Sequence, residues 1–250
     1  MDFATTEASN DLGGLVRTIT ESVCTPERQR ELDKLDERFD RELWGKLKAA
    51  DVLSTAAPES LGGGGFGVLE QVAVLVAIGR QMGAVPYLES AVLGAGALAK
   101  FGSEALQHDW ATPAINGEKI LAVALDGEMG EGPVRATASG SGYGLTGSRT
   151  QISYGPVADA FLVPAETDSG VKVFLVAADD DGATVRSLKT TGHGSVGHLE
   201  LHGVELEADR AVGGEEVVGW LTTHGALGRS AFQLGVLERA LELTAEYARE

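Results

Sequence analysis

Cysteine is almost absent from the sequence, since Cys24 is the single cysteine among 250 residues. One cysteine cannot form a disulfide within the chain, so the sequence fits a reducing compartment. The neighbours of Cys24 favour a buried, inert thiol over a nucleophile. The first residues lack a basic stretch followed by an apolar core and a cleavage site, so no secretion signal is predicted. We therefore expect a cytoplasmic protein.

Basic residues are scarce as well. Twenty Lys and Arg stand against 37 Asp and Glu, which gives a net charge of −17. This charge repels a nucleic-acid backbone and an anionic membrane surface, so neither is an expected partner. The most apolar region, residues 72–99, is interrupted by Arg80, Pro86 and Glu89. A membrane span rarely tolerates such residues, and we predict buried helices there.

The stretch "PESLGGGGFG", residues 58–67, contains four consecutive glycines. A phosphate-binding glycine loop normally follows a buried strand, opens a helix and, in nucleotide hydrolases, ends in Lys and Ser or Thr. The segment before this run has a helical pattern, and no lysine follows it. The pattern therefore predicts a turn between two helices.

Helical periodicity dominates the first part of the chain. Leu32, Leu35, Phe39, Leu43 and Leu47 repeat at three- and four-residue spacing and predict one helix that starts at the "TPERQREL" segment. Further helices are predicted after the glycine run, ending at Gly83, and then up to Gly102 and over "SEALQHDW".

From residue 119 the sequence pattern changes to short runs rich in β-branched residues, separated by glycine and aspartate, and this pattern predicts an antiparallel β region. A helical period returns at about Thr222 and reaches Glu250 without a stop signal, so the sequence reads as though cut within an element. We predict an α+β protein with three parts: an α-helical domain over 1–118, a β-domain over 119–221, and the first helix of a second, incomplete helical domain over 222–250.

Several polar clusters are better explained by structure than by chemistry. His193, His198 and His202 lack the cysteine or aspartate that would complete a zinc site, so no metal is predicted. The acidic run 179–181 lacks the alternate spacing of a calcium loop and predicts a hairpin turn. Arg149 could bind a ligand phosphate or form a surface salt bridge. A hydrolase triad has no support, because no nucleophile elbow is present.

Specific segments, in order, resemble the acyl-CoA dehydrogenase family of flavoproteins. They are "MDFATTEAS", "RELWGKLKAADVLSTAAPESLGGGGFG", "NGEKILAVAL", "YGLTGSRTQISYGPVADAFLVPA", "LHGVELEADRAVGG" and "HGALGRSAFQLGVLERALELTAEYARE". The resemblance covers essentially all 250 residues. It implies a helical N-terminal domain, a middle antiparallel β-domain and the start of a C-terminal helical bundle, with the glycine run shaping the backbone near the substrate entrance.

The resemblance also implies a reaction. A carboxylate base removes the α-proton of an acyl-CoA thioester, a hydride passes from the β-carbon to FAD, and electron-transferring flavoprotein then reoxidises the flavin. Cofactor-binding residues carried over from the family are Leu125, Asp126, Gly127, Gln151, Ile152 and Ser153.

The sequence departs from the family at these positions. The family's "TEP" step near the flavin is replaced by a run that places Asp126 and Gly127 there. The family's Trp-Ile-Thr or Trp-Ile-Ser step, which covers the flavin ring, reads Gln151-Ile152-Ser153 here, so only the last two residues match. A glutamine cannot cover a flavin ring with the area of an indole.

The base is missing too, so no catalytic residue is assigned. One branch of the family carries its glutamate where this chain has Gly225, beside His224, and the other branch carries it beyond Glu250. Glu238, Glu242 and Glu246 lie toward the far end of the helix, and we interpret them as a solvated or interhelical charged face.

Two explanations stay open. The chain could be a fragment whose remaining bundle supplies the base, or it could resemble the degenerate subunit of the heteromeric acyl-CoA dehydrogenases of steroid-degrading bacteria; both could hold. The altered residues at 126, 127 and 151 favour the second explanation. The first functional hypothesis is therefore an FAD-linked acyl-CoA dehydrogenase subunit that acts with a homologous partner subunit in a hetero-oligomer, with a steroid-derived thioester as substrate. The alternative is a non-catalytic scaffold subunit.

Overall fold

A computed structural model describes residues 5–125 and 130–249. Helices form the first part of the chain, an eight-stranded sheet the middle, and one long helix the end. The predicted α+β architecture is therefore confirmed. The exact domain limits at residues 118 and 221 stay a prediction.

Four helices begin the chain: α1 (Glu7–Val23), α2 (Pro26–Leu32), α3 (Arg41–Ala49) and α4 (Val68–Arg80). Each of the first three starts at a side chain that accepts a hydrogen bond from a free backbone N–H: Thr6 for α1, Thr25 for α2 and Asp40 for α3. Asp40 is fully buried, and its carboxylate also accepts hydrogen bonds from Nε and Nη2 of Arg28, at 3.1 and 2.7 Å.

The prediction of a single helix that contains both Leu32 and Leu47 is wrong. The chain leaves the helix after Leu32 and re-enters it at Arg41, so the apolar stripe is shared by two helices. Phe39 is buried, whereas Leu35 in the connection is 53% exposed. The new start follows from Asp40, whose carboxylate accepts from the N–H groups of Glu42 and Leu43.

The glycine run forms the predicted turn between helices. A short 3-10 turn, Glu59–Leu61, precedes it and α4 follows it. Gly62 and Gly65 have φ angles of 82° and 68°, and a Cβ on Gly63 would lie 2.2 Å from the carbonyl oxygen of Ala57. These glycines are therefore required by backbone conformation and close packing.

The apolar region after α4 forms helices, as predicted. A π-helical segment (Tyr87–Ala95) continues into α5 (Gly96–Phe101). Then come α6 (Glu104–Leu106), a second π-helical turn (Gln107–Ala111) and α7 (Thr112–Ile115). Within residues 5–125 and 130–249, the structure contains no helix that is both long and apolar enough to cross a bilayer.

The sheet contains eight strands. They are β1 (Leu121–Val123), β2 (Val134–Ser139), β3 (Gly142–Ser153), β4 (Ala160–Thr167), β5 (Gly170–Ala177), β6 (Ala183–Leu188), β7 (Val196–Glu207) and β8 (Ala211–Gly213). Their order is β6-β7-β3-β2-β4-β5-β8, with β1 paired to β4. Most pairs are antiparallel, as predicted, but β1 and β2 each run parallel to β4. The sheet is therefore mixed, because β4 accepts strands of both directions.

The last helix, α8 (Glu215–Tyr247), begins before the predicted Thr222 and packs along α4. Two glycines permit this close approach. A Cβ on Gly235 would lie 2.1 Å from the carbonyl oxygen of Val76, and one on Gly79 would lie 2.1 Å from that of Phe232. Arg80 then bridges the helices, with Nη1 2.9 Å from Glu238 and Nη2 2.6 Å from Glu242.

Candidate functional site

A β-bulge in β3 shapes the first wall of the site. Arg149 pairs with Leu199 and Ile152 with Gly197, so β3 carries one extra residue between these pairs. Gln151 adopts a left-handed conformation, with φ of 60°. Its neighbour Thr150 is buried and hydrogen-bonds to Nδ1 of His198 on β7.

Four of the six predicted cofactor residues do meet in one cleft. Leu125, two residues after β1, lies there with Gln151, Ile152 and Ser153 of β3. The π-helical segment and α8 form the opposite wall, through Leu93, Leu221 and Gly225 among others. Asp126 and Gly127 lie outside the described residues.

The position expected for a base carries no carboxylate. A Cβ on Gly225 would lie 3.7 Å from Nη1 of Arg229, one helical turn further along α8. A guanidinium, which cannot accept a proton, therefore lies beside the place where the base would be attached. His224 is not among the residues that line the cleft; its Nδ1 lies 2.9 Å from the carbonyl oxygen of Trp220 and its ring stacks on that indole.

The three glutamates at the far end of α8 are engaged elsewhere. Glu238 and Glu242 bind Arg80, and Glu246 lies 3.8 Å from Arg239. Glu238 and Glu242 therefore form a charged interhelical face, whereas Glu246 is a solvated charge that pairs within α8, and both agree with the interpretation as a solvated or interhelical charged face.

Glu89 is the carboxylate that sequence reasoning missed. It extends from the π-helical segment and lines both the cleft and a larger adjoining cavity, together with Arg229. Burial raises the pKa of Glu89 to about 7, although the charge of Arg229 opposes this rise. The sequence signal for Glu89 is a charged residue inside the most apolar region of the chain, which above serves only as an argument against a membrane span.

Tyr154 completes this group. It follows β3 in a left-handed conformation, with φ of 56°, and lines the larger cavity. Burial raises the pKa of its phenol, and the nearby charge of Glu89 adds to the effect. Tyr154 therefore stays neutral and hydrogen-bond competent at physiological pH.

The other polar clusters have structural partners. Glu200 lies between His198 and His202, with oxygens 3.2 and 3.6 Å from their Nε2 atoms. Within the described part of the chain, no group of three His, Cys, Asp or Glu residues is placed to hold a metal. Arg149 donates to the carbonyl oxygens of Gly132 and Ser148, at 3.0 and 2.8 Å.

The acidic run 179–181 forms a turn, in which Asp180 accepts from the N–H of Ala177 at 2.7 Å. The predicted hairpin is wrong, because β5 and β6 on either side of this turn do not pair: β5 pairs with β4 and β8, and β6 pairs with β7. The expectation for the cysteine agrees with the structure. Cys24 is buried, and burial raises its pKa to about 11, as an inert thiol requires.

The cleft does not fit a flavin ring between its walls. Its volume is about 20 Å³, which is room for about one water molecule. Among residues 5–125 and 130–249, no aromatic side chain lines it to stack on such a ring. The residues expected to hold FAD are thus together, but the space between them is closed.

The chain belongs to the acyl-CoA dehydrogenase family, and residues 6–118 match the acyl-CoA dehydrogenase N-terminal domain. It is 70% identical over 249 residues to acyl-CoA dehydrogenase FadE27 of Mycobacterium tuberculosis, covering all of this chain and 67% of that protein.

Two solved structures are similar over nearly the whole chain. The ChsE4-ChsE5 complex from Mycobacterium tuberculosis contains a chain with 70% identity and a TM-score of 0.98, matched over 100% of this chain and 68% of that one. The Tcur3481-Tcur3483 steroid ACAD gives 30% identity and a TM-score of 0.90, over 98% and 67%. The chain thus spans about two thirds of the length of these relatives.

Proposed function

We propose that this chain is a subunit of a heteromeric, FAD-dependent acyl-CoA dehydrogenase, in which a homologous partner subunit supplies the catalytic base. The observation that carries the proposal is the pair Gly225 and Arg229: a cation lies where α-proton abstraction needs an anion. The closed cleft beside Ile152 and Ser153 supports the alternative weighed from the sequence, namely a role as a scaffold that does not itself hold the reacting flavin ring.

The chemistry of the assembly would be the α,β-desaturation of an acyl-CoA thioester, with electron-transferring flavoprotein as acceptor. Two similar structures are named as a two-component complex and as a steroid ACAD, which supports a hetero-oligomer and a steroid-derived thioester for this chain. Within that assembly the chain's own residues would exclude water: Leu93, Ile152 and Leu221 close the cleft with apolar surface.

The test compares the visible absorption spectra of the intact protein alone, its homologous partner alone, and the two together. We expect a flavin spectrum and its bleaching by an acyl-CoA only when both are present. A steroid side-chain thioester and butyryl-CoA, compared as substrates, address the substrate class.

A flavin spectrum from this protein alone, at one FAD per chain and bleached by acyl-CoA, would contradict the proposal. A matched variant, Gly225→Glu, asks whether a carboxylate is all that is missing. We expect it to leave the protein alone without bleaching, because the cleft remains closed.

A further inference from the structure

His198 on β7 stands opposite the bulge of β3. Between the paired residues on either side, Thr150 and Gln151 of β3 together face His198 alone. A bulge disrupts the ladder of backbone hydrogen bonds, so a side-chain bond between the two strands helps to decide how firmly the bulge is held. His198 makes such a bond, from its ring to the hydroxyl of Thr150. Both groups are shielded from water, since Thr150 is 5% exposed and the side chain of His198 is 12% exposed.

Glu200 fixes the tautomer of His198 and with it the direction of this bond. One carboxylate oxygen of Glu200 lies 3.2 Å from Nε2 of His198. An ionised carboxylate can only accept, so Nε2 carries the hydrogen and Nδ1 of the neutral ring is an acceptor. Thr150 therefore donates its hydroxyl hydrogen to Nδ1. Because Thr150 also lines the cleft, hydrogen bonds connect the half-exposed Glu200 to the cleft wall.

A proton on His198 is incompatible with this arrangement. Both ring nitrogens then donate, so Nδ1 can no longer accept from Thr150. Among residues 5–125 and 130–249, the hydroxyl of Thr150 makes no other hydrogen bond that could replace it. The charged or titratable side chains around the pair come from both strands that flank it and from the cleft: Glu200 and His202 on β7, Arg186 opposite His198 on β6, and Glu89 and Arg229 in the cleft that Thr150 lines.

We propose that His198 is a positioning residue for the cleft wall. As the neutral ring it holds Thr150, and through Thr150 the bulge that gives Gln151 its left-handed backbone next to Ile152 and Ser153; protonation of the ring releases the bulge. No covalent step is involved. The inference deepens the proposed function and rests on it for the role of the cleft, whereas the hydrogen bond itself belongs to this chain alone.

Hydrogen–deuterium exchange of the intact protein, read in peptides that contain residues 149–153, measures how firmly the bulge is held. Thr150→Val and His198→Leu each remove one end of the bond. At about pH 8 we expect exchange about fivefold faster in both, the factor that one net hydrogen bond typically contributes. His198→Asn should restore most of the protection, because its side-chain oxygen can accept from Thr150 in place of Nδ1.

The matched control is His202→Leu, which removes an exposed imidazole beside the same carboxylate on the same strand. It should leave exchange of the bulge unchanged. If His198→Leu fails to fold, Thr150→Val, which keeps the shape of the side chain, still decides the result. Equal exchange in Thr150→Val and the unsubstituted protein, or an equal acceleration in His202→Leu, would overturn the inference.

The second readout is pH, which a contact that serves only packing would not follow. We compare the unsubstituted protein with His198→Asn at each pH between about 8 and about 5, the range in which imidazoles ordinarily gain a proton. The ratio of their exchange rates should rise about fivefold toward the acidic end, because the asparagine does not titrate. Glu89 is common to both proteins and cancels. A ratio that stays constant contradicts the inference, and because this protein is measured alone, the result stands whether or not the two-subunit proposal holds.

Discussion

Glu89→Gln is the substitution for which the structure gives the clearest change in the pH dependence of the free energy of unfolding. The carboxyl group has an ordinary pKa of 4.5, and burial raises it to about 7 in the folded protein. Between these two values the folded protein keeps the proton and the unfolded chain loses it. Because the folded state then binds more protons, its stability falls as the pH rises.

The size of this effect follows from the two pKa values. Glu89 should destabilise the fold by about 1 kcal/mol near pH 5 and by about 3 kcal/mol near pH 8. Glutamine has nearly the same shape and no charge to lose. The free energy of unfolding of Glu89→Gln, relative to the unsubstituted protein, should therefore rise by about 2 kcal/mol over this range.

Urea denaturation of both proteins at several pH values measures this difference. Other carboxylates, such as Asp40 and Glu70, have lowered pKa values and add a pH dependence of the opposite sign, but they are common to both proteins and cancel. Arg229→Gln supplies a second check, since losing its cation should raise the pKa of Glu89 further and steepen the fall. A difference that stays constant with pH would refute the reasoning, as would a carbon NMR titration of Glu89 near its ordinary value.

Three other outcomes are expected. Gly235→Ala should lower the free energy of unfolding by about 2 kcal/mol because its methyl group meets the backbone of α4. Gly219→Ala, on the same helix but with open space around it, should raise the free energy of unfolding by up to about 1 kcal/mol. Equal effects of the two substitutions in denaturation curves would be inconsistent with the α4–α8 contact. Asp40→Ala should lower the free energy of unfolding by about 3 kcal/mol because it removes a helix cap and leaves Arg28 without its buried partner. A loss below about 1 kcal/mol, on the order of a surface ion pair, would argue against this structural role of Asp40. Gly225→Glu should fold normally, since its Cβ has ordinary contacts, and a crystal structure should show the new carboxylate paired with Arg229; a carboxylate turned away from it would be unexpected.

The sequence predicted the order of elements well, because apolar periodicity reports directly on which face of a helix or strand is buried. It failed at the connection between α2 and α3. There the spacing of Leu32, Leu35 and Phe39 continues a helical repeat that the backbone does not follow. The signal for the break was Asp40, a good helix-capping residue with Glu42 in the next turn.

The sequence predicted the β-sheet side of the site and the position of Gly225 on α8, but not the charged residues beside it. Ile152 and Ser153 belong to a recognisable strand, whereas Glu89 and Arg229 come from two helices distant in sequence and meet only through tertiary packing. The bulge that gives Gln151 a left-handed backbone was also invisible, because it depends on pairing with β7. The family resemblance thus identified one wall of the cleft, but not the charges of Glu89 and Arg229 opposite it.

The residues that set the charge of the cleft differ from those that hold α4 against α8. Gly79, Gly235 and Arg80 hold α4 against α8, and none of them lines the cleft or the larger cavity. Gly225 and Arg229 determine the charge of the cleft, and their side chains are not needed for the helix contact. The fold of this chain is therefore compatible with a cation beside Gly225. Because a guanidinium cannot act as a base at physiological pH, Arg229 cannot supply the proton acceptor that Gly225 lacks, and this is why we propose that a partner subunit supplies it.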